Sequence, residues 1–332
     1  MHPTKPANLL LSSLRHRNLL KAKLSLVEDE LFRVLQSSPN AQTLYEASLH
    51  PIKSGGKRLR PLLSLLSCEA VGSDFKKALP VATAIELIHT ASLIHDDLID
   101  DDVKRREAQT VHVRYDRDTA ILSGDLLISK AMQIISENSP VRVRRIVSSA
   151  CVEMSEGEYM DMVFKSSPED ATEENYLKMA RKKTGVLVGA AAACGAIMGG
   201  GTPEQVLSLS RYGESLGLSL QLRDDVQEIL TAEVTSVSTR TCLDGQGSNL
   251  VLIHSLRNSD NSSQDLLRGI VTSNENDNGL KDALQVFESS MSIQHVQRLS
   301  EKFEKEATNV IKGMAFSNQK ILEDLAEFVV RH

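Results

Sequence analysis

The stretch that most restricts this chain runs from Glu86 to Arg106, ELIHTASLIHDDLIDDDVKRR, where an apolar run passes directly into five aspartates within seven positions. Ile85, Leu87, Ile88, Leu93 and Ile94 recur at mixed three- and four-residue spacings, which predicts a largely buried helix over 78–100. On that helix Asp96 and Asp100 share a face, roughly 6 Å apart along the axis, with Asp97 beside them. Like charges one turn apart weaken a helix by about 0.2–0.5 kcal/mol per pair, so a cation is expected there. Hard carboxylate oxygens without His or Cys suit Mg²⁺, which keeps several waters and shares its coordination with substrate phosphates. Arg105 and Arg106 follow closely and offer planar forks for phosphate oxygens. An acidic run is ordinarily a solvated helix end, but this one adjoins an apolar stretch. Carboxylates, a divalent cation and arginines together imply a diphosphate site.

With 332 residues, 41% of them hydrophobic and 25% charged, the chain can bury a large core. Trp is absent and aromatics make up 4%, which favours helices over a β-sandwich. A net charge of −6 gives no reason to expect nucleic-acid binding. Cys68, Cys151, Cys194 and Cys242 lie far apart and read as free thiols in a reducing compartment. No apolar run approaches the roughly 18 residues that span a bilayer, so no transmembrane segment is expected. Lys5, Arg15, Arg17, Lys21 and Lys23 precede the first acidic residue, Glu28. A cytoplasmic location is expected, with an organelle address in this basic N-terminus as the alternative.

Helical periodicity covers 8–37, with Leu20, Leu24, Val27, Leu31 and Leu35 in phase, then 41–50 and 62–71. Between the last two lies SGGKRLRP, Ser54 to Pro61, where Gly55 and Gly56 permit a tight turn ahead of Lys57, Arg58 and Arg60. Further helices are predicted over 116–137, 140–166 (with Glu153, Glu156, Glu158 and Asp161), 204–230 and 280–331. The small residues Ala190 to Ala193 and Gly195 read by default as close packing. Residues 256–278, rich in Ser, Asn and Asp, read as a surface loop. No βαβ alternation, nucleotide loop or internal repeat is present. The expected fold is an all-α antiparallel helical bundle in one domain over 1–332, with 1–19 as a flexible or targeting extension.

The DDxxD followed by RR resembles the first aspartate-rich motif of the all-trans polyprenyl diphosphate synthases. SGGKRLRP matches that family's GGKRLRP residue for residue, and AILSGDLL (Ala120 to Leu127) looks like its AILAGD helix. Lys183 and Thr184 match its KT pair, and Gln221, Asp224, Asp225 and Glu228 match its second aspartate-rich motif. The resemblance implies an isoprenoid-synthase bundle around a central active-site cavity, Mg²⁺ dependence and a homodimer. It makes Asp96, Asp97, Asp100, Asp224, Asp225 and Glu228 metal ligands. Arg105, Lys183 and Thr184 would then serve the allylic diphosphate, Gln221 would bind substrate, and Lys57, Arg60, His89 and Arg106 would take the isopentenyl diphosphate. Asp96, Asp97, Asp100, Arg105 and Lys183 would carry catalysis. Apolar products would imply peripheral membrane contact for release.

Two departures stand out. Glu228 replaces the family's usual Asp, and Gln246 and Thr241 occupy the places of a lysine and an aspartate beyond it, with Arg240 the nearby cation. This raises a rival reading, a weakly active or non-catalytic regulatory subunit of a heteromeric synthase; the complete first motif and GGKRLRP argue against it. A class I terpene cyclase would not need the 55–60 segment. Product length is expected to depend on Ala91 and Ser92, one turn before the first aspartate, and on Leu87 and Ile88 below them. All are smaller than Phe or Tyr, which implies a product of C20 or longer.

Overall fold

Leu20, Leu24, Val27 and Leu31 generate helix α1 (Arg17–Val34), and these side chains, with Leu35 beyond its end, are at most 3% exposed. The computed structural model describes residues 17–36, 38–167, 171–235, 248–272 and 279–331. After α1 come α2 (Gln42–Lys53), α3 (Leu59–Ala70), a 3₁₀ turn at Phe75–Ala78 and α4 (Leu79–Ile99). A two-stranded antiparallel hairpin, β1 (Lys104–Arg105) and β2 (Ala108–Gln109), leads to α5 (Val111–Arg114), α6 (Arg117–Asn138) and α7 (Val141–Ser166). Then follow α8 (Glu173–Ala180), a π-helical turn at Arg181–Gly185, α9 (Val186–Met198) and α10 (Pro203–Thr235). The chain ends in α11 (Leu250–Asn258), α12 (Asn261–Thr272), α13 (Gly279–Ser289), α14 (Ser292–Lys312) and α15 (Gln319–Arg331). The fold is all-α, as the periodicity predicts.

Contacts group the chain into two compact units. The first holds the described residues up to Cys151, with Leu187–Gly213 and the chain from Thr308 onward. In it α4 packs along α3 and α6. The small residues of α9 do bring backbones together: a Cβ on Gly195 would collide with the Ser64 carbonyl, and Ser64 Oγ donates to Ala191 O at 2.9 Å. The segment Phe75–Ile99 is in fact apolar and long enough to cross a membrane, contrary to the count of consecutive apolar residues. Its most apolar 18-residue window is 67% buried within the protein, and Glu86 in its middle pairs with Arg58, so it reads as a core helix.

The second unit comprises the described residues of Val152–Val186 and Glu214–Ala307. Its core gathers Tyr176, Leu222, Ile229, Leu250, Leu267, Phe287 and Val296, each 0% exposed. Here the expected loop over 256–278 is corrected: α11 continues to Asn258 and 261–272 is helix. Asp260 accepts from Ser263 N at 2.8 Å, and Leu267, Ile270 and Val271 pack on the core. Ser and Asp there start a helix and do not replace one. The helix expected over 280–331 breaks at Met291, left-handed at φ 55°, and again between α14 and α15.

Candidate active site

In the first unit, helix α4 stops at Asp100, and Asp101 enters the left-handed region at φ 51°. Asp102 N then donates to Asp97 O at 2.9 Å, a Schellman-type stop with Asp in the usual glycine place. Arg106 and Glu107 join β1 to β2, both left-handed at φ 53° and 66°, which makes a type I′ turn without glycine. The reversal returns Arg105 to the acidic helix end. Its Nε donates to Asp97 Oδ1, and its Nη2 lies 3.2 Å from Asp96 Oδ2 and 3.6 Å from Asp102 Oδ2. The cation demanded by the aspartates is thus supplied by the chain itself. Burial pushes the Asp97 carboxyl up to about 6 against the pull of Arg105, with Asp102 and Asp96 adding to the rise. Burial also opposes the charge of Arg105, but Asp97, Asp96 and Asp102 hold it above its ordinary value.

One to two turns earlier on α4 lies a cationic cluster. Arg60 Nη1 is 3.0 Å from His89 Nε2. Burial, then Arg60, Arg106, Arg58 and Arg105, hold His89 well below its usual value. The neutral ring therefore accepts at Nε2 and carries its proton on Nδ1. Arg106 Nη1 donates to Gly55 O, and a Cβ on Gly56 would lie 2.8 Å from that nitrogen. Lys57 is exposed. Arg58, left-handed at φ 50°, turns inward instead: Nη1 donates to Glu86 Oε1 at 2.7 Å and Nη2 to Ile52 O at 2.7 Å. The left-handed Arg58, Asp101, Arg106 and Glu107 all belong to this site, where backbone strain commonly gathers.

The residues expected to set product length differ in exposure. Successive helical residues differ by about 100°, so Ala91 and Ser92 stand on adjoining stripes of α4. Ser92 lies on a half-buried stripe with His89 and Asp96, whereas Ala91 and Leu87 are 0% exposed. Ile88 is 3% exposed.

In the second unit, the π-helical turn carries Lys183, whose Nζ donates to Asp161 Oδ2 at 2.6 Å and lies 3.0 Å from Glu158 Oε2. Gly157 permits this approach, since a Cβ there would strike the Lys183 backbone. Asp161 Oδ1 accepts from Ser248 N at 3.1 Å and from Ser248 Oγ. Burial would raise Asp161, but Lys183, Ser248 and Lys165 hold it below the usual carboxylate range. Thr184 Oγ1 donates to Gln221 Oε1 at 2.8 Å, and Gln221 Nε2 donates to Asp225 Oδ1 at 3.3 Å. Asp225, 3% exposed, also accepts on Oδ2 from Tyr176 OH at 2.6 Å and Leu250 N at 2.8 Å. Burial pushes it up to about 8 against those hydrogen bonds.

The second acidic motif therefore divides. Asp225 points inward, while Asp224 and Glu228, one helical turn apart, are exposed. Asn249 Nδ2 lies 3.2 Å from Glu228 Oε2. Asp161, Tyr176, Ser248 and Asn249 were not singled out as site residues by the sequence. Only the three-residue spacing of Glu158 and Asp161, which puts both beside Lys183, carried a signal. Arg240, Thr241, Cys242 and Gln246 lie outside the described residues.

Residues 41–287 match the family model for polyprenyl synthetase. The chain belongs to the polyprenyl synthetase family. Among relatives, the short chain isoprenyl diphosphate synthase of Methanothermobacter thermautotrophicus is 36% identical over 315 residues, covering 91% of this chain and 96% of that protein. A geranylgeranyl diphosphate synthase of Saccharolobus solfataricus is 32% identical over 305 residues, covering 88% and 91%. The crystal structure of geranylgeranyl pyrophosphate synthetase from Pyrococcus horikoshii superposes with a TM-score of 0.88 at 30% identity, covering 98% of this chain and 99% of that one. As a polyprenyl synthetase the chain is an enzyme, a transferase of prenyl groups acting on isoprenyl diphosphates.

The donor chemistry of this synthetase fits a hard divalent cation. Its candidate ligands are carboxylates, yet among the described residues no three His, Cys, Asp or Glu side chains converge into a ready metal cage.

Proposed function

We propose that this enzyme condenses isopentenyl diphosphate with an allylic diphosphate in a Mg²⁺-dependent reaction, giving a polyprenyl diphosphate of C20 or longer. The observation that carries the reading is a carboxylate cluster at the end of α4 beside a second cluster around His89, two turns before it, made by Arg60 of α3 and Arg106 of the hairpin turn. Asp96, Asp97 and Asp100 would hold Mg²⁺ in the first unit, and Asp224 and Glu228 in the second, with Asp225 fixing their helix from inside. Bound Mg²⁺ would neutralise the departing diphosphate. In the first unit Arg105 would turn from Asp96 and Asp97 to the allylic diphosphate; in the second Lys183 would serve an allylic diphosphate, with Thr184 and Gln221 orienting the turn that carries it. Lys57, Arg60, His89 and Arg106 would take the isopentenyl diphosphate.

The allylic C–O bond breaks with its electron pair leaving on diphosphate. The isopentenyl double bond supplies the pair for the new C–C bond, and a proton passes from the adjacent carbon to the released diphosphate. Charge stabilisation is what the protein must provide, and no protein nucleophile is required. Ser92, small and on the half-buried stripe, leaves room for a chain beyond C15. The exposed Ile121 and Leu122 on α6 support a homodimer. A cytoplasmic enzyme with transient membrane contact at product release completes the proposal. The test incubates the purified protein with isopentenyl diphosphate, Mg²⁺ and allylic primers of several lengths, followed by chromatography. Products of C20 or more that vanish with chelator are expected; no elongation of any primer refutes the reading.

A further inference from the structure

We infer that Asn249 is a positioning residue that fixes Glu228 for metal binding, so that residues 228 and 249 act as one unit. Asn249 is 3% exposed and forms the N-cap of α11, its Oδ1 accepting from Val251 N at 2.9 Å. A backbone N–H can only donate, so this bond decides which end of the amide is oxygen. The nitrogen must then face the second acidic motif. Nδ2 lies 3.0 Å from Asp225 O and 3.2 Å from Glu228 Oε2, so its two protons serve both acceptors. One side chain thereby ties the start of α11 to the backbone and the outer carboxylate of α10.

The chemistry of the pairing is specific. Glutamate carries one more rotatable bond than aspartate, so its carboxylate must be immobilised to serve as a ligand. A lysine or arginine would do this but would also cancel the charge. A neutral amide orients the carboxylate and leaves its charge for the cation. The same segment is anchored twice more, by Leu250 N on Asp225 and Ser248 N on Asp161. Asn249 therefore sits on a fixed platform, and its reach toward Glu228 is set by backbone rather than chance. The inference rests on the proposed metal role of Glu228.

The test measures Mn²⁺ affinity by titration in the presence of inorganic diphosphate, with thermal midpoint recorded in parallel. Asn249→Ser keeps a helix-capping oxygen but cannot reach Glu228. It should weaken Mn²⁺ binding about tenfold, with the thermal midpoint within a few degrees of the parent. In a Glu228→Asp background the shorter arm no longer reaches, so Asn249→Ser should add nothing. Equal losses in both backgrounds, or unchanged affinity in a folded Asn249→Ser protein, would overturn the inference. Glu228→Gln is the separate control: unchanged Mn²⁺ affinity there would refute the metal role of Glu228 itself.

Discussion

Single residues of the two acidic motifs differ in what they touch, and so in what their removal does. Asp100 caps α4, whereas Asp97 is 4% exposed and bonds Arg105 directly. Asp100→Ala is expected to lower turnover about a hundredfold or more with little change in stability. Asp97→Ala should lose turnover similarly and about 1–2 kcal/mol of stability, a figure discounted because Arg105 is partly exposed. Parallel kinetics and denaturant titrations separate the two. Asp225 makes a pH prediction. Its folded value is about 8 against 3.8 for the ordinary carboxyl, so between those values the folded state holds more protons than the unfolded. Stability must then fall as pH rises toward 8. Melting curves between pH 7 and 8.5 should show this fall, and Asp225→Asn should flatten it; an equal slope in both proteins would assign the fall elsewhere. The sequence made the acidic character of Asp224, Asp225 and Glu228 plain but not their division, because which way a helix face turns depends on Tyr176 and Leu250, distant in the chain.

Elements show the same split between local and distant information. Helix α4 was legible throughout, since its apolar phase and its terminal aspartates are both local. The hairpin after it was not: a type I′ turn usually announces itself with Asn-Gly, and here Arg106-Glu107 takes that backbone. Helix α12 was hidden by its loop-like composition and forms because Leu267 is buried. Two aromatic substitutions on α4 test which stripe meets the product. Ser92→Phe should shift products to shorter chains while the protein stays folded. Ala91→Phe should instead overpack a site with no exposure, losing about 1–3 kcal/mol. Product chromatography with thermal melts decides it, and a shortened ladder from Ala91→Phe alone would reverse the assignment. Gly195→Ala should be comparably harmful, since its methyl would press on the Ser64 backbone.

At the scale of the molecule, fold class and enzyme family could both be read from sequence, because the motifs are contiguous and strongly periodic helices surround them. The grouping of contacts into two units was not, since each is assembled from separated stretches such as Val152–Val186 with Glu214–Ala307. One whole-chain prediction follows from Arg105 lying against Asp96, Asp97 and Asp102. Exhaustive chelation should leave the melting temperature nearly unchanged while abolishing turnover; a large drop on chelation would show that the ion is structural. The arginine acts as a resident counter-ion, so a newly made chain can reach its native state wherever ribosomes deliver it, without waiting for loading. Were the ion to arrive only with diphosphate, the enzyme's draw on the cellular supply would follow flux through the reaction instead of the number of molecules present.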